Sequence, residues 1–257
     1  MQTTLKQRLA ELAARYNTPE FILSDPVQIP HRYTDKRDIE ISAFVTAWIS
    51  WGNRKQIIRT AEKIDTEIFK GQPFKYLMNC DWRCYRDDKR CFYRTVRYHD
   101  FFCLMERMHT IYTHHPDLEA AVNQQKSREP EESIIHSPLS IIHSLSSLFR
   151  GISGIADSRK GSSCKRLWFF LRWMVRRDGI VDFGIWRTID PADLIIPLDT
   201  HVYQMARTMG LTARCTADFK TACEITDQLR QVFPSDPVLG DFALFGYGIE
   251  LSLPEKH

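Results

Sequence analysis

No two of the seven cysteines in this 257-residue chain are spaced as a Cys-x-x-Cys pair. Cys80, Cys84, Cys91, Cys103, Cys164, Cys215 and Cys223 are scattered and odd in number. That argues against a zinc ribbon or an iron–sulfur cluster and suits free thiols in a reducing compartment. No apolar run approaches the roughly 20 residues of a membrane span, and Met1-Gln2-Thr3-Thr4-Leu5-Lys6 lacks the apolar centre of a secretion signal. The expectation is a cytoplasmic protein with no membrane partner. There is no internal repeat, and strand-like alternation is missing from the first part of the chain. Net charge is only +3, so total charge argues neither for nor against a polyanionic partner.

What is present is an ordinary folded composition, 43% hydrophobic and 26% charged, long enough to bury one large core or two small ones. Helical spacing dominates. Leu5, Leu9, Leu12 and Ala13 mark a first helix closed by Asn17-Thr18-Pro19. Two prolines make Asp25 to Tyr33 read as extended. A long helix beginning near Asp38 carries Ile41, Phe44, Val45, Trp48 and Ile49 on one face, and Gly52-Asn53 ends it. Arg54 to Phe69 and Phe101 to Thr113 repeat the pattern. Residues 81–94 interleave aromatics with arginines, a mixture that stacks bases and grips phosphates or packs a small core under snorkelling stems. Residues 124–138 are polar and charged and read as a mobile loop.

Charge is local. Between Arg150 and Arg187 nine basic residues face three acidic ones, the balance a polyanionic substrate favours. In this region Gly161-Ser162-Ser163-Cys164-Lys165 reads as a tight turn that delivers a lysine onto the opening turn of a helix. Backbone amides there form a natural anion cradle. On a helical wheel Arg172 and Arg176 fall within about 20° of Lys165, opposite the apolar Leu167, Phe170, Leu171 and Met174. This basic stripe is either a solvated face or a phosphate grip. The helix dipole disfavours a cation in the first turn, so Lys165 is a poor place for a decorative lysine.

Further on, Leu194-Ile195-Ile196-Pro197-Leu198 leads into Asp199, which stands where the helix from Thr200 to Met209 begins. Asp199 reads as an N-cap, worth roughly 1 kcal/mol. Set among apolar residues it also needs a cationic or hydrogen-bonding partner, and Lys165 is the candidate. An amine with a carboxylate beside it is a nucleophile with its activator.

At these residues the chain resembles the helix–hairpin–helix DNA glycosylase superfamily. Gly161-Ser162-Ser163-Cys164-Lys165 matches the family's G-x-G-x-K hairpin, with Ser163 at the second glycine, and Leu198-Asp199-Thr200-His201-Val202 matches its V-D-T-H-like segment. The 34-residue interval between lysine and aspartate is similar to that of the archaeal-type 8-oxoguanine glycosylase branch. Pro30-His31-Arg32-Tyr33, Cys164-Lys165-Arg166-Leu167 and Asp241-Phe242-Ala243-Leu244-Phe245-Gly246 look like an uncharacterised bacterial family allied to that branch.

The resemblance implies an all-α fold of two helical subdomains with a cleft between them. Residues 38–190 would carry the hairpin and the lysine, and 1–37 with 191–257 the aspartate. It implies a DNA glycosylase with AP-lyase activity on a flipped base, with Lys165 as nucleophile and Asp199 as its partner. Gly161, Ser162, Ser163, Arg166, Arg172 and Arg176 would hold DNA, and Trp186 or Trp51, Asn53 and Arg54 the base. Relatives often hold a monovalent cation at the hairpin, and the C-terminal iron–sulfur cysteines of some are missing here. Two other readings stand beside it. One is a non-catalytic DNA-binding module on the same scaffold, told apart by binding indifferent to Lys165. The other is a helical metal phosphohydrolase using His99-Asp100, told apart by bound metal.

Overall fold

Acidic and amide side chains set the helix starts. In the computed structural model, which describes residues 3–127 and 138–252, Asp35, Asn53, Asp117, Asp199 and Asp218 each accept a backbone N–H from the first turn of the helix that follows. Those amides have no helical carbonyl to reach, so a fixed side-chain oxygen stabilises each start. Among the described residues the regular structure is helical apart from a small antiparallel pairing of Cys91–Tyr93 with Val96–Arg97.

The chain divides into two units, one of residues 1–23 with 158–257 and one of residues 24–157. The divisions therefore fall near 23 and 157 rather than near 37 and 190. Lys165 and Asp199, expected in separate subdomains, belong to the same unit.

The first unit opens with α1 (Thr3–Tyr16) and α2 (Pro19–Ser24). The second unit contains α3 (Lys36–Trp48), α4 (Arg54–Lys63), α5 (Pro73–Met78), α6 (Tyr98–His114), α7 (Leu118–Lys126) and α8 (Pro138–Leu148). Helix α3 is its axis, because every residue from Ile39 to Trp48 is buried. Phe149 stacks on Phe44 at 4.1 Å, and the Trp48 indole donates to the Ser153 carbonyl at 2.8 Å. Glu40, fully buried on the same helix, accepts from the Tyr112 hydroxyl at 2.7 Å and from the Leu118 amide at 2.9 Å. A carboxylate so placed needs such donors to offset lost hydration.

Three sequence expectations change in this unit. Asp25 to Tyr33 is not extended but forms two 3-10 turns, Pro26–Gln28 and Pro30–Arg32. The fixed φ of proline suits the first position of a helical turn as well as an extended chain, and Asp25 caps the first by accepting from Val27. The helix from Arg54 loosens after Lys63 into a π-helix, Ile64–Phe69, whose Asp65 is held by Arg32 and Tyr33. Residues 124–126, read as loop, form the last turn of α7, and residues 128–137 of that expected loop lie outside the described residues. The arginine–aromatic stretch is packing. Trp82 is buried, and the guanidiniums of Arg83, Arg86 and Arg90 lie over the rings of Trp82, Phe102 and Tyr98 at 5.4–5.7 Å.

The first unit resumes with α9 (Lys165–Val175), α10 (Thr200–Thr208), α11 (Phe219–Arg230) and α12 (Gly240–Ser252). Helix α12 packs along α1 and α10. Phe21 meets Phe242 and Phe245 edge-on at 4.9 and 5.1 Å. After α9 the chain doubles back onto the helix end. The Phe183 and Trp186 amides donate to the Trp173 and Met174 carbonyls at 2.8 and 2.9 Å, satisfying groups the helix leaves unpaired.

That return depends on Gly184, at φ +57°, where a Cβ would stand 2.6 Å from the Arg176 carbonyl oxygen and 2.8 Å from the Arg177 Cα. Both neighbours are backbone and cannot swing aside. Gly184→Ala should lose about 1–2 kcal/mol from the left-handed backbone and about 1–3 kcal/mol more from the clash. Gly179→Ala, also at positive φ but in open space, should lose only the first part. Urea unfolding of the two variants beside the native chain checks the difference.

Candidate active site

Lys165 is the first residue of α9, as its position after the glycine predicts. The approach is a 3-10 turn, Ser158–Lys160, followed by Gly161 at φ +74° and Cys164 at φ +48°, both left-handed. The Cys164 amide donates to the Ser162 hydroxyl at 3.2 Å, and the Gly161 carbonyl accepts from Phe219 at the start of α11. The buried Cys164 then starts α9, its carbonyl taking the Leu167 and Trp168 amides at 2.9 and 3.1 Å.

Asp199 is the N-cap of α10. Its Oδ1 accepts from the Val202 amide at 2.7 Å, and its Oδ2 lies 3.3 Å from Lys165 Nζ. The two roles read from the sequence, cap and partner of the lysine, are thus carried by separate oxygens of one carboxylate. The side chains are 26% exposed for Lys165 and 34% for Asp199, so the pair is held yet open to solvent on one side. A cap that fixes the carboxylate also fixes where the amine is met.

The basic stripe is not at the surface. Arg172 and Arg176 are 1% and 0% exposed, because α9 is buried on nearly all sides from Leu167 to Val175. Their guanidiniums converge on carboxylates. Asp182, itself buried, accepts from both. Asp241, in the first turn of α12, takes Arg172, and Asp236 and Asp178 take Arg176 at 2.9 and 2.7 Å. These arginines are spent inside the protein and do not serve as phosphate contacts. The wheel places them on one face correctly; what it lacks is the second apolar-acid layer, Asp182 and Asp236 to Asp241, that covers that face. The signal for it was an acid set directly between apolar residues, Val181-Asp182-Phe183 and Gly240-Asp241-Phe242, where a buried cation is the natural partner.

Other expected contacts sort in the same way. Trp186 is fully buried and meets Phe170 edge-on at 5.4 Å, so it is core and not a base platform. Trp51, Asn53 and Arg54 lie in the other unit. Trp51 packs edge-on against Tyr93, Asn53 caps α4, and Arg54 pairs with the buried Asp25 at 3.6 Å. Gly161 is exposed, and Ser162, Ser163 and Arg166 are partly so, beside Lys165 on the turn. Burial lowers the Arg166 pKa from its ordinary value. His99 meets the Arg86 carbonyl and stands 3.5 Å from the Cys103 sulfur, while Asp100 accepts the Arg97 amide at 2.7 Å. Among the described residues no group of three or more His, Cys, Asp or Glu side chains is arranged to hold a metal ion, and no helix is long and apolar enough to cross a membrane.

The ionic layer touches the pair. Burial pushes the Asp241 carboxyl up to about 6; Arg172 opposes the rise, and the charges of Asp199 and Asp182 add to it. Burial raises Asp182 as well, against Arg172 and Arg176. Arg176 is raised because Asp182, Asp236 and Asp178 together outweigh its burial.

Two stability measurements follow. Asp182→Ala removes the buried acceptor that two guanidiniums share, leaving Arg172 with Asp241 and Arg176 with Asp236 and Asp178, and should cost about 3–5 kcal/mol, whereas Asp199→Asn keeps a capping oxygen and should cost under about 1 kcal/mol; denaturant titrations compare them. Because the folded Asp241 holds its proton up to about 6, the folded state binds more protons than the unfolded one from the ordinary carboxylate range to that value. The contribution of Asp241 therefore falls as pH rises through that window and is flat above it. Urea midpoints of the native chain and Asp241→Asn, followed from about pH 4 to pH 7, should show that slope in the first and lose it in the second.

No curated protein and no solved structure matches the chain. A family model does, over residues 25–250, and the chain belongs to the family described as protein of unknown function (DUF2400).

Proposed function

We propose that this protein is a DNA base-excision glycosylase with AP-lyase activity, built on a helix–hairpin–helix glycosylase scaffold. The reading is carried by one observation, Lys165 Nζ 3.3 Å from Asp199 Oδ2 at the starts of two helices, in the two segments that resemble that superfamily. Both side chains remain partly open, which a nucleophile and its partner require. Exposed Arg159 and Lys160 on the turn before Gly161 supply positive charge beside them where the buried arginines do not.

In this scheme the damaged nucleotide is flipped out of the stack to reach the amine. Asp199 accepts a proton from Lys165, freeing its lone pair. The Nζ–C1′ bond forms as the glycosidic bond breaks, and the base leaves with its electron pair and takes up a proton. Opening of the sugar ring gives an iminium between Lys165 and C1′. Loss of a proton from C2′ then expels the 3′ phosphate and nicks the strand, and water returns the lysine. While positive charge grows on the sugar, the Asp199 carboxylate lies beside it.

Borohydride trapping on oligonucleotides carrying 8-oxoguanine, uracil or an abasic site tests this. The native chain should form a covalent adduct on at least one of them. Lys165→Gln should abolish it, and Asp199→Asn should slow it by about 10²–10⁴-fold, the usual size of a positioned proton acceptor. No adduct on any of the three at high enzyme concentration would remove the lyase. Salt-dependent DNA binding that Lys165→Gln leaves unchanged would then leave a binding module in its place.

A further inference from the structure

Helix α6 of the second unit brings two metal-binding side chains together at its outer face. His99 Nε2 stands 3.5 Å from the Cys103 sulfur, one turn further along the helix. The other ring nitrogen, Nδ1, meets the Arg86 carbonyl oxygen. A carbonyl only accepts, so in the neutral ring the proton sits on Nδ1 and Nε2 turns its lone pair to the thiol. Imidazoles that hold metals are oriented in this way, one nitrogen on the ion and the other donating to a carbonyl or carboxylate. The ring is braced as well, stacked on Phe102 at 5.9 Å with 20° between the planes.

The separation is that of a chelate. A sulfur at about 2.3 Å and a nitrogen at about 2.0 Å from one ion, at a tetrahedral angle, lie about 3.5 Å apart. A thiol hydrogen bond spans a similar distance, so the surroundings decide what else the pair can do. His99 is exposed and Cys103 partly so, which leaves an ion a way in. Glu106 follows Cys103 by three residues, and at 100° per residue all three fall within an arc of about 60°. Long helical side chains lean toward the N-terminus, so the Glu106 carboxylate covers the turn that carries Cys103. Glu106 is exposed and makes no side-chain hydrogen bond or ion pair among the described residues. Burial and then the negative charges of Asp100 and Glu106 raise the Cys103 pKa, and the same two charges favour a cation there.

We propose that His99, Cys103 and Glu106 bind one divalent ion of the zinc class, with water at the fourth position. The first two ligands already stand at chelating distance. Among the described residues no three such side chains converge, and Glu106 completes the set by turning about its own exposed torsions. As the ion binds, the Cys103 sulfur gives its proton to solvent and takes the metal in its place. Thiolate, imidazole and carboxylate together match the mixed ligand sets that zinc accepts. Asp100 takes no part, because it is committed to the Arg97 amide. The inference stands on α6 alone and does not depend on Lys165 being a nucleophile.

The test titrates the whole reduced chain with cobalt(II), whose bond to a thiolate gives a near-ultraviolet charge-transfer band that zinc lacks. A saturable band is expected, and added zinc should displace it. Cys103→Ser should abolish the band, whereas Cys84→Ser and Cys91→Ser, at exposed thiols of the same unit, should leave it unchanged. His99→Gln should weaken cobalt binding by more than about 100-fold, since even an outer partner of a ligand is worth about 10- to 100-fold. Glu106→Gln should weaken it by at least about tenfold. All five positions are at least partly exposed, and far-ultraviolet circular dichroism checks that each variant folds. The proposal falls if millimolar cobalt gives no band, if Cys103→Ser keeps it, or if folded His99→Gln or Glu106→Gln binds as the native chain does. It falls equally if zinc fails to displace the cobalt.

Discussion

Arginine cannot shed its charge in a protein interior, and this fold places two of them inside one helix packing face. Arg172 and Arg176 are buried, so carboxylates must come to them from everything that packs against α9. Asp182 arrives on the returning strand of chain, Asp236 and Asp241 at the start of α12, and Asp178 at the end of α9 itself. Removing one member leaves a charge in a medium that cannot solvate it, so the set holds together more stringently than apolar packing alone would. Its consequence is positional. Lys165 lies seven residues before Arg172, two turns along the same face, and its place follows from where the guanidiniums are pinned.

The unit of residues 24–157 is held by a different means. Buried Glu40 on α3 receives Tyr112 from α6 and the Leu118 amide at the start of α7, so one carboxylate ties three helices. Lys36 on α3 adds ion pairs to Asp117 and Glu119 at 2.9 and 2.6 Å. Arg83 and Arg86 here lie over aromatic rings, while Arg32 and Arg54 meet the buried Asp65 and Asp25 from positions that stay partly open to solvent.

Local rules made most helices and both halves of the candidate pair legible. Asp199 reads as a cap because an acid before a helical period has one obvious use, and Lys165 reads as first-turn because glycine and serine precede it. Gly210, at φ +72°, stands just after α10, where a glycine readily takes the left-handed backbone that ends a helix. What failed was anything decided by layers distant in the chain. A wheel gives the angular position of Arg172 but not what lies opposite, and here the partner is 69 residues away. Pro26 and Pro30 read as extended because proline's φ fits both states, and the Asp25 cap marks the first of the two turns as helical. Trp186 reads as a base platform on type alone, yet an indole following a tight return onto a buried helix is core, and it is fully buried.

The pair itself adds little to stability. One oxygen of Asp199 already satisfies the α10 cap, and an asparagine would do that equally well. The second oxygen is turned to an ammonium that stands where the dipole of α9 opposes it. A partly exposed ion pair contributes little to folding, so neither the lysine nor the charge on its partner is required to hold these two helices. Asp241 adds to the same point: its charge bears on Asp199 and is countered by Arg172. A cap, a cation and a second acid balanced by arginine form an arrangement in which charge is controlled around one accessible amine. Under the proposed reading that arrangement serves a group that must give up a proton and attack.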